Sequence, residues 1–217
     1  MGVLTLLVTG LCLASAPGFA QAPQSGWIAD LTTGCRIWKP AARPNWSMTW
    51  SGLCRDGVAN GQGISQWSAD GHPIVKYEGE YRAGKLNGKG VMTWPDGDRC
   101  AAVWRDDKRN GQGVYTWADG DRYAGDYRDD KMTGHGVYSF ASGNRYAGEF
   151  LNDRFDGQGV KTWTTGERYE GEWRDGKANG SGTLVTRGGT YKGFWSDGCF
   201  DAGDQWIAVD VKAASCR

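Results

Sequence analysis

The sequence is short of the residues that build an ordinary hydrophobic core. Leu, Ile, Val and Phe together number 33 among 217 residues, about 15 %. So low an aliphatic content excludes a helical bundle and a large aliphatic core. Net charge is also lacking, because 25 basic and 25 acidic residues cancel. That balance excludes a long charged disordered tail, and it excludes a chain that binds nucleic acid through its overall charge. Histidine occurs only at positions 72 and 135. There is no Gly-x-Ser-x-Gly, no P-loop and no His-Glu-x-x-His. Cys-x-x-Cys is absent, which leaves zinc and thioredoxin-like chemistry without ligands. Asp96-Gly97-Asp98 and Asp119-Gly120-Asp121 lack the other ligands of a calcium loop and read as turns. Paired carboxylates such as Glu78 and Glu80 recur along the chain, so they read as a strand face. No catalytic residue, metal or cofactor is therefore expected, and the chain reads as a non-enzyme.

Glycine and aromatics are abundant instead. There are 35 Gly, about 16 % against a usual ~7 %, and 12 Trp. The composition points to a β-rich chain packed with rings.

Val3–Ala16 is an uncharged apolar run, shorter than the ~20 residues of a spanning helix. Small residues follow, so residues 1–20 read as an export signal, with cleavage after Ala20 or Ala22. An uncleaved anchor is the alternative, since no Lys or Arg precedes the run. Cys12 follows Leu11, a large residue that does not fit a lipoprotein signal. Export implies an oxidising compartment, periplasmic or secreted. Cys35 with Cys54, and Cys199 with Cys216, are the expected disulfides, each stapling one end of the chain. Cys100 is left over, as a buried thiol in the place of a ring.

A 23-residue ruler organises the middle. Tyr77, Cys100, Tyr123, Tyr146 and Tyr169 keep that spacing, as do Gly88, Gly111, Gly134, Gly157 and Gly180. Gly90 and its successors follow the same spacing, and so do Trp94, Trp117, Phe140 and Trp163. Each copy reads as a hairpin. Tyr77–Tyr81 alternates aromatic and charged residues, Asn87-Gly88-Lys89-Gly90 reads as its turn, and Val91–Trp94 returns. Pro95-Asp96-Gly97 leads into the next copy. A glycine such as Gly79 or Gly125 within the strand leaves a hollow in which a ring can lie flat. Residues 50–198 hold six copies and a terminal half, flanked by cap segments at 21–49 and 199–217.

Tyr77-Glu78-Gly79-Glu80-Tyr81, then Gly84-Lys85, Asn87-Gly88-Lys89-Gly90 and Trp94-Pro95-Asp96-Gly97-Asp98, closely resembles a MORN (membrane occupation and recognition nexus) repeat. Tyr146–Phe150 and Tyr169–Trp173, with their downstream glycines, resemble it too. The resemblance implies an all-β, elongated, curved single-layer meander of hairpins, of an exported bacterial type, that recognises protein or membrane. Cys100-Ala101-Ala102 departs from the pattern and breaks the ring stacking locally.

Alternation assigns the two faces. Tyr77, Tyr81, Trp104, Tyr123, Tyr127, Tyr146, Phe150, Tyr169 and Trp173 share the aromatic face. This face is expected to bind an unidentified protein partner or a second copy. On the other face an Arg column and an acidic column are expected to neutralise each other. Lys85, Lys89, Lys108, Arg109 and Lys131 recur near the hairpin tips. They offer an alternative, a basic edge against anionic phospholipid.

Overall fold

A computed structural model describes residues 26–39 and 43–216. The expected export signal and both cleavage positions lie outside them. The described residues form eighteen strands: β1 (Gly26–Ala29), β2 (Arg36–Lys39), β3 (Trp46–Trp50), β4 (Leu53–Arg55), β5 (Val58–Ala69), β6 (His72–Arg82), β7 (Lys85–Thr93), β8 (Arg99–Arg105), β9 (Lys108–Thr116), β10 (Arg122–Arg128), β11 (Lys131–Ser139), β12 (Arg145–Leu151), β13 (Arg154–Thr162), β14 (Arg168–Arg174), β15 (Lys177–Thr186), β16 (Gly189–Trp195), β17 (Cys199–Asp201) and β18 (Trp206–Ala208). From β5 to β16 every strand pairs antiparallel with the next, within one 16-stranded sheet. The all-β meander expected from the sequence is thus present. β3 and β4 pair with β5, and the β1–β2 hairpin joins the sheet through one parallel pair, Arg36 with Val58. β17 and β18 form a separate hairpin.

The rings and glycines explain why a chain this poor in aliphatics packs. Tyr77, Tyr123, Tyr146 and Tyr169 are at most 1 % exposed. Each lies over a cross-strand pair of glycines, such as Gly148 opposite Gly159. A Cβ on Gly90 would sit 2.1 Å from the Tyr77 hydroxyl, and one on Gly159 would sit 2.3 Å from that of Tyr146. The hollows read from the sequence are therefore filled. Each hydroxyl donates to a carbonyl three residues on, Tyr146 to Glu149 at 2.9 Å and Tyr169 to Glu172 at 3.2 Å. Edge-to-face contacts then link the copies: Tyr123–Phe150 at 5.0 Å, Tyr146–Trp173 at 5.4 Å and Tyr169–Trp195 at 5.2 Å. Such pairs add about 0.5–1.5 kcal/mol each beyond their area burial. The chain of rings stops between Trp104 and Tyr123, where Cys100 takes the tyrosine position, and the core divides there into two clusters.

The hairpin turn lies elsewhere than the sequence suggests. Asn87-Gly88-Lys89-Gly90 is inside β7, and the turn is Ala83-Gly84, both residues at positive φ. The same two-residue turn recurs at Asp106-Asp107, Asp129-Asp130, Asn152-Asp153 and Asp175-Gly176. Positive φ at both central positions is the type I′ geometry that matches strand twist. Asp tolerates it here because its carboxylate is used: Asp107, Asp130 and Asp153 accept the backbone N–H of Leu86, Arg109 and Met132 in the preceding copy. Gly88 serves a bulge. The register passes from Gly79–Gly90 to Tyr81–Leu86, so three residues oppose Glu80.

The bulge also corrects the expected charge neutralisation on the far face. Asp126, Glu149 and Glu172 accept the bulge N–H groups of His135, Gln158 and Ser181. Arg122 and Asp126 stand four residues apart on one strand, about 13 Å. Among the described residues only Lys76–Glu78 and Arg168–Glu170 pair on this face.

Both expected disulfides form, Cys35–Cys54 and Cys199–Cys216, and Cys100 is free and buried. The pairs point to an oxidising environment. No helix among the described residues is long and apolar enough to cross a membrane.

Gly159→Ala should destabilise the fold by about 1–3 kcal/mol through overpacking. Gly188→Ala, with nothing nearer than 3.7 Å, should change stability by less than about 0.5 kcal/mol. Urea denaturation of both variants checks this. Equal effects would remove the hollow from the explanation.

Candidate functional site: an aromatic groove between two caps

The nine rings expected to form an open contact face are 0–6 % exposed. Their faces and edges are taken by glycines and by one another, and Trp104 and Trp173 donate their indole N–H to Gly90 and Gly159 carbonyls. They form the floor of the face. What solvent meets is a second row, which the sequence reading did not assign to the site. Trp94, Tyr115, Trp117, Tyr138 and Phe140 are half-buried and follow one another at centroid spacings of 5.7, 4.5, 5.4 and 4.6 Å.

The turn between copies holds this row in place. Trp94, Trp117, Phe140 and Trp163 directly follow the return strands, and their backbone N–H groups donate to Asp98, Asp121, Asn144 and Glu167 carbonyls. The Asp98 carboxylate accepts the Tyr115 hydroxyl at 2.5 Å and the Ala118 N–H at 2.8 Å, one copy further on. Asp121 does the same for Tyr138 and Ala141. The row is thus tied to the sheet from behind, leaving its ring faces toward the groove. From Trp94 to Trp163 it spans three copies of two strands each, about 30 Å.

A cap closes each end. At the N-terminal end Ile37, Trp38 and Lys39 of β2 wall a cavity of about 370 Å³ against Trp67, Trp94, Trp104 and Tyr115. Arg109 lines it, donating to Asp130 from Nε at 3.1 Å and lying 4.6 Å over the Tyr127 ring. Other copies carry Leu86, Met132 or Phe155 at that position. Arg109 thus introduces charge in the same stretch where Cys100 removes a ring. Burial lowers the Lys39 pKa, and Asp107 opposes that shift. Burial also raises the Cys100 thiol, although Arg109 counteracts it. At the C-terminal end Ile207, Val209 and Asp210 face Trp163, Leu184 and Tyr191 across a cavity of about 560 Å³. Lys161 is 7 % exposed, lies 4.9 Å over Phe140 and 5.4 Å over Trp163, and reaches Asp210 at 2.5 Å. This pair, of a buried lysine with an accessible aspartate, ties the C-terminal segment to the groove.

The five cations proposed as a lipid edge do not form one surface. Lys85, Lys108 and Lys131 begin strands just past the turns, Lys89 lies in a bulge, and Arg109 faces the groove. Lys108, Arg154 and Lys177 each face the first aspartate of the next turn, Asp129, Asp175 and Asp197. His72 and His135 are exposed. No cluster of metal-ligating side chains occurs among the described residues.

Burial raises the pKa of Tyr77, Tyr81, Tyr115, Tyr123, Tyr127, Tyr138 and Tyr146, and pushes Tyr169 up to about 12. An unfolded tyrosine ionises near pH 10. Stability from these groups is complete below that pH and is lost as pH rises toward the folded values. Phenolate absorbance and near-ultraviolet dichroism should therefore change together, in one transition above roughly pH 11. Titration of these tyrosines near pH 10 with the fold intact would contradict the burial.

Five segments, residues 77–99, 102–122, 123–145, 146–168 and 169–190, match the family described as MORN repeat. The expected first copy, from Trp50, lies outside them. No curated protein matches the sequence. Among solved structures, the chain is similar to the SAS-4 (dCPAP) TCP domain of Drosophila melanogaster, solved in complex with a proline-rich motif of Ana2 (dSTIL). Identity is 12 %, over 85 % of this chain and 96 % of that chain, with a TM-score of 0.38. The matched segments take in more than half of the sequence, and the chain belongs to the MORN repeat family.

Proposed function

We propose that this chain is a non-catalytic binding scaffold of the periplasm or cell exterior. Its groove holds an extended segment of a partner protein. The observation that carries the reading is the half-exposed ring row, bounded by a capped cavity at either end. Rigid, clamped aromatics give contact area at little entropic cost, and such residues dominate protein interfaces. A groove of about 30 Å accommodates roughly nine residues of extended chain. Membership of the repeat family supports the non-catalytic part, and the two disulfides support the compartment. The lipid alternative draws less support, because two of its five cations, Lys108 and Arg109, are matched by a neighbouring aspartate and Arg109 faces the groove.

The test places a photo-crosslinking residue at Trp117 or Tyr138, and at Val137 on the opposite face, in cells that express the protein. Groove positions should yield a discrete adduct with a protein other than a second copy of the chain, and Val137 should not. Trp117→Ala with Tyr138→Ala should weaken binding of that partner by at least about tenfold, the loss typical of hot-spot rings. Flotation on anionic vesicles with no groove adduct would overturn the reading in favour of lipid.

A further inference from the structure

The face opposite the groove carries a pattern that its own chain satisfies only in part. Register pairs Val91 with Ala101, Val114 with Ala124, and Val137 with Ala147 and then Val160. A row of alternating valine and alanine therefore crosses seven strands, β7 to β13, and all of these side chains are partly accessible. Glu78 and Glu170 end the row, each paired with a cation on its own strand.

Two charged rows flank it. On one side stand Arg99, Arg122 and Arg145, with Thr116 and Ser139 between them. None of these arginines lies within 4.0 Å of a carboxylate among the described residues. On the other side stand Asp126 and Glu149. Asp126 accepts the Gln112 amide on one oxygen and the bulge N–H of His135 on the other, whereas Glu149 gives one oxygen to the bulge at Gln158 and keeps the other free. On β10 and β12 the order is the same: cation, alanine, anion, two residues apart.

We infer that this face is the interface of a twofold dimer with a second copy of the chain. The order of the rows selects the arrangement. A twofold axis lying along the apolar row sets each strand antiparallel over its own copy. Arg122 then faces Asp126 of the second copy, and Arg145 faces its Glu149. A twofold axis across the row would set arginine on arginine. The small side chains let the two sheets approach to about 10 Å, the usual face-to-face distance. Seven strands at about 4.8 Å, by about 20 Å of strand, bury roughly 650 Å² on each copy. The total of about 1,300 Å² falls at the lower end of specific interfaces. The dimer is therefore of moderate strength and salt-sensitive, and it leaves both grooves facing outward. It depends on nothing the groove binds.

Sedimentation of the full chain with disulfides intact should give a dimer that dissociates on dilution and in high salt. Arg122→Glu with Arg145→Glu should weaken dimerisation at least tenfold while leaving the thermal midpoint of the monomer unchanged. Because the axis runs along the row, Ala101→Cys, Ala124→Cys and Ala147→Cys should each crosslink to themselves with a short bis-maleimide, and Trp117→Cys should not. A monomer at every accessible concentration overturns the proposal. So does self-crosslinking at only one of the three alanine positions, or dimerisation unaffected by the arginine reversals.

Discussion

Everything in this fold depends on a tyrosine lying flat on a pair of glycines. The ring needs a site without Cβ atoms, and a cross-strand Gly–Gly pair provides it in the copies that start at Tyr77, Tyr123, Tyr146 and Tyr169. Once Tyr146 lies over Gly148 and Gly159, its edge is presented to Phe150 and Trp173, which carry the contact into neighbouring copies. A sheet that is one layer thick thereby acquires a core. The second ring row rests on this floor, so the groove exists because the glycines do.

The same constraint separates roles that the amino-acid types alone leave mixed. Acidic side chains at the turns, the bulges and the inter-copy loops each accept backbone N–H groups, as Asp153, Glu149 and Asp121 do. They are parts of the scaffold before they are surface charge. Lys161 and Arg109 are different. They replace the ring or aliphatic side chain of other copies, and they stand near the two ends of the groove, where the caps close it. The repeat supplies a uniform face, and these departures give it ends.

Much of this was legible in the sequence. The 23-residue ruler gives the hairpins, the strand glycines give the hollows, and the end positions of four cysteines give both disulfides. The turn was not legible, because positive φ serves a bulge at Gly88 as well as a turn, and Asp106-Asp107 reaches it without glycine. Alternation placed Tyr123 and Trp173 on the aromatic face but could not say that other rings would cover them. The columns containing Tyr115 and Tyr138 were on the same ruler. Their role emerges only when the strand register sets them beside the tyrosine floor.

The central claim is that buried rings form the floor and a second row forms the accessible groove. Hydroxyl-radical footprinting of the native protein tests it directly. Trp94, Trp117 and Tyr138 should be modified readily, and Tyr123, Tyr146, Tyr169 and Trp173 should be protected until the chain unfolds. Equal modification of the two sets in the native state would contradict the account.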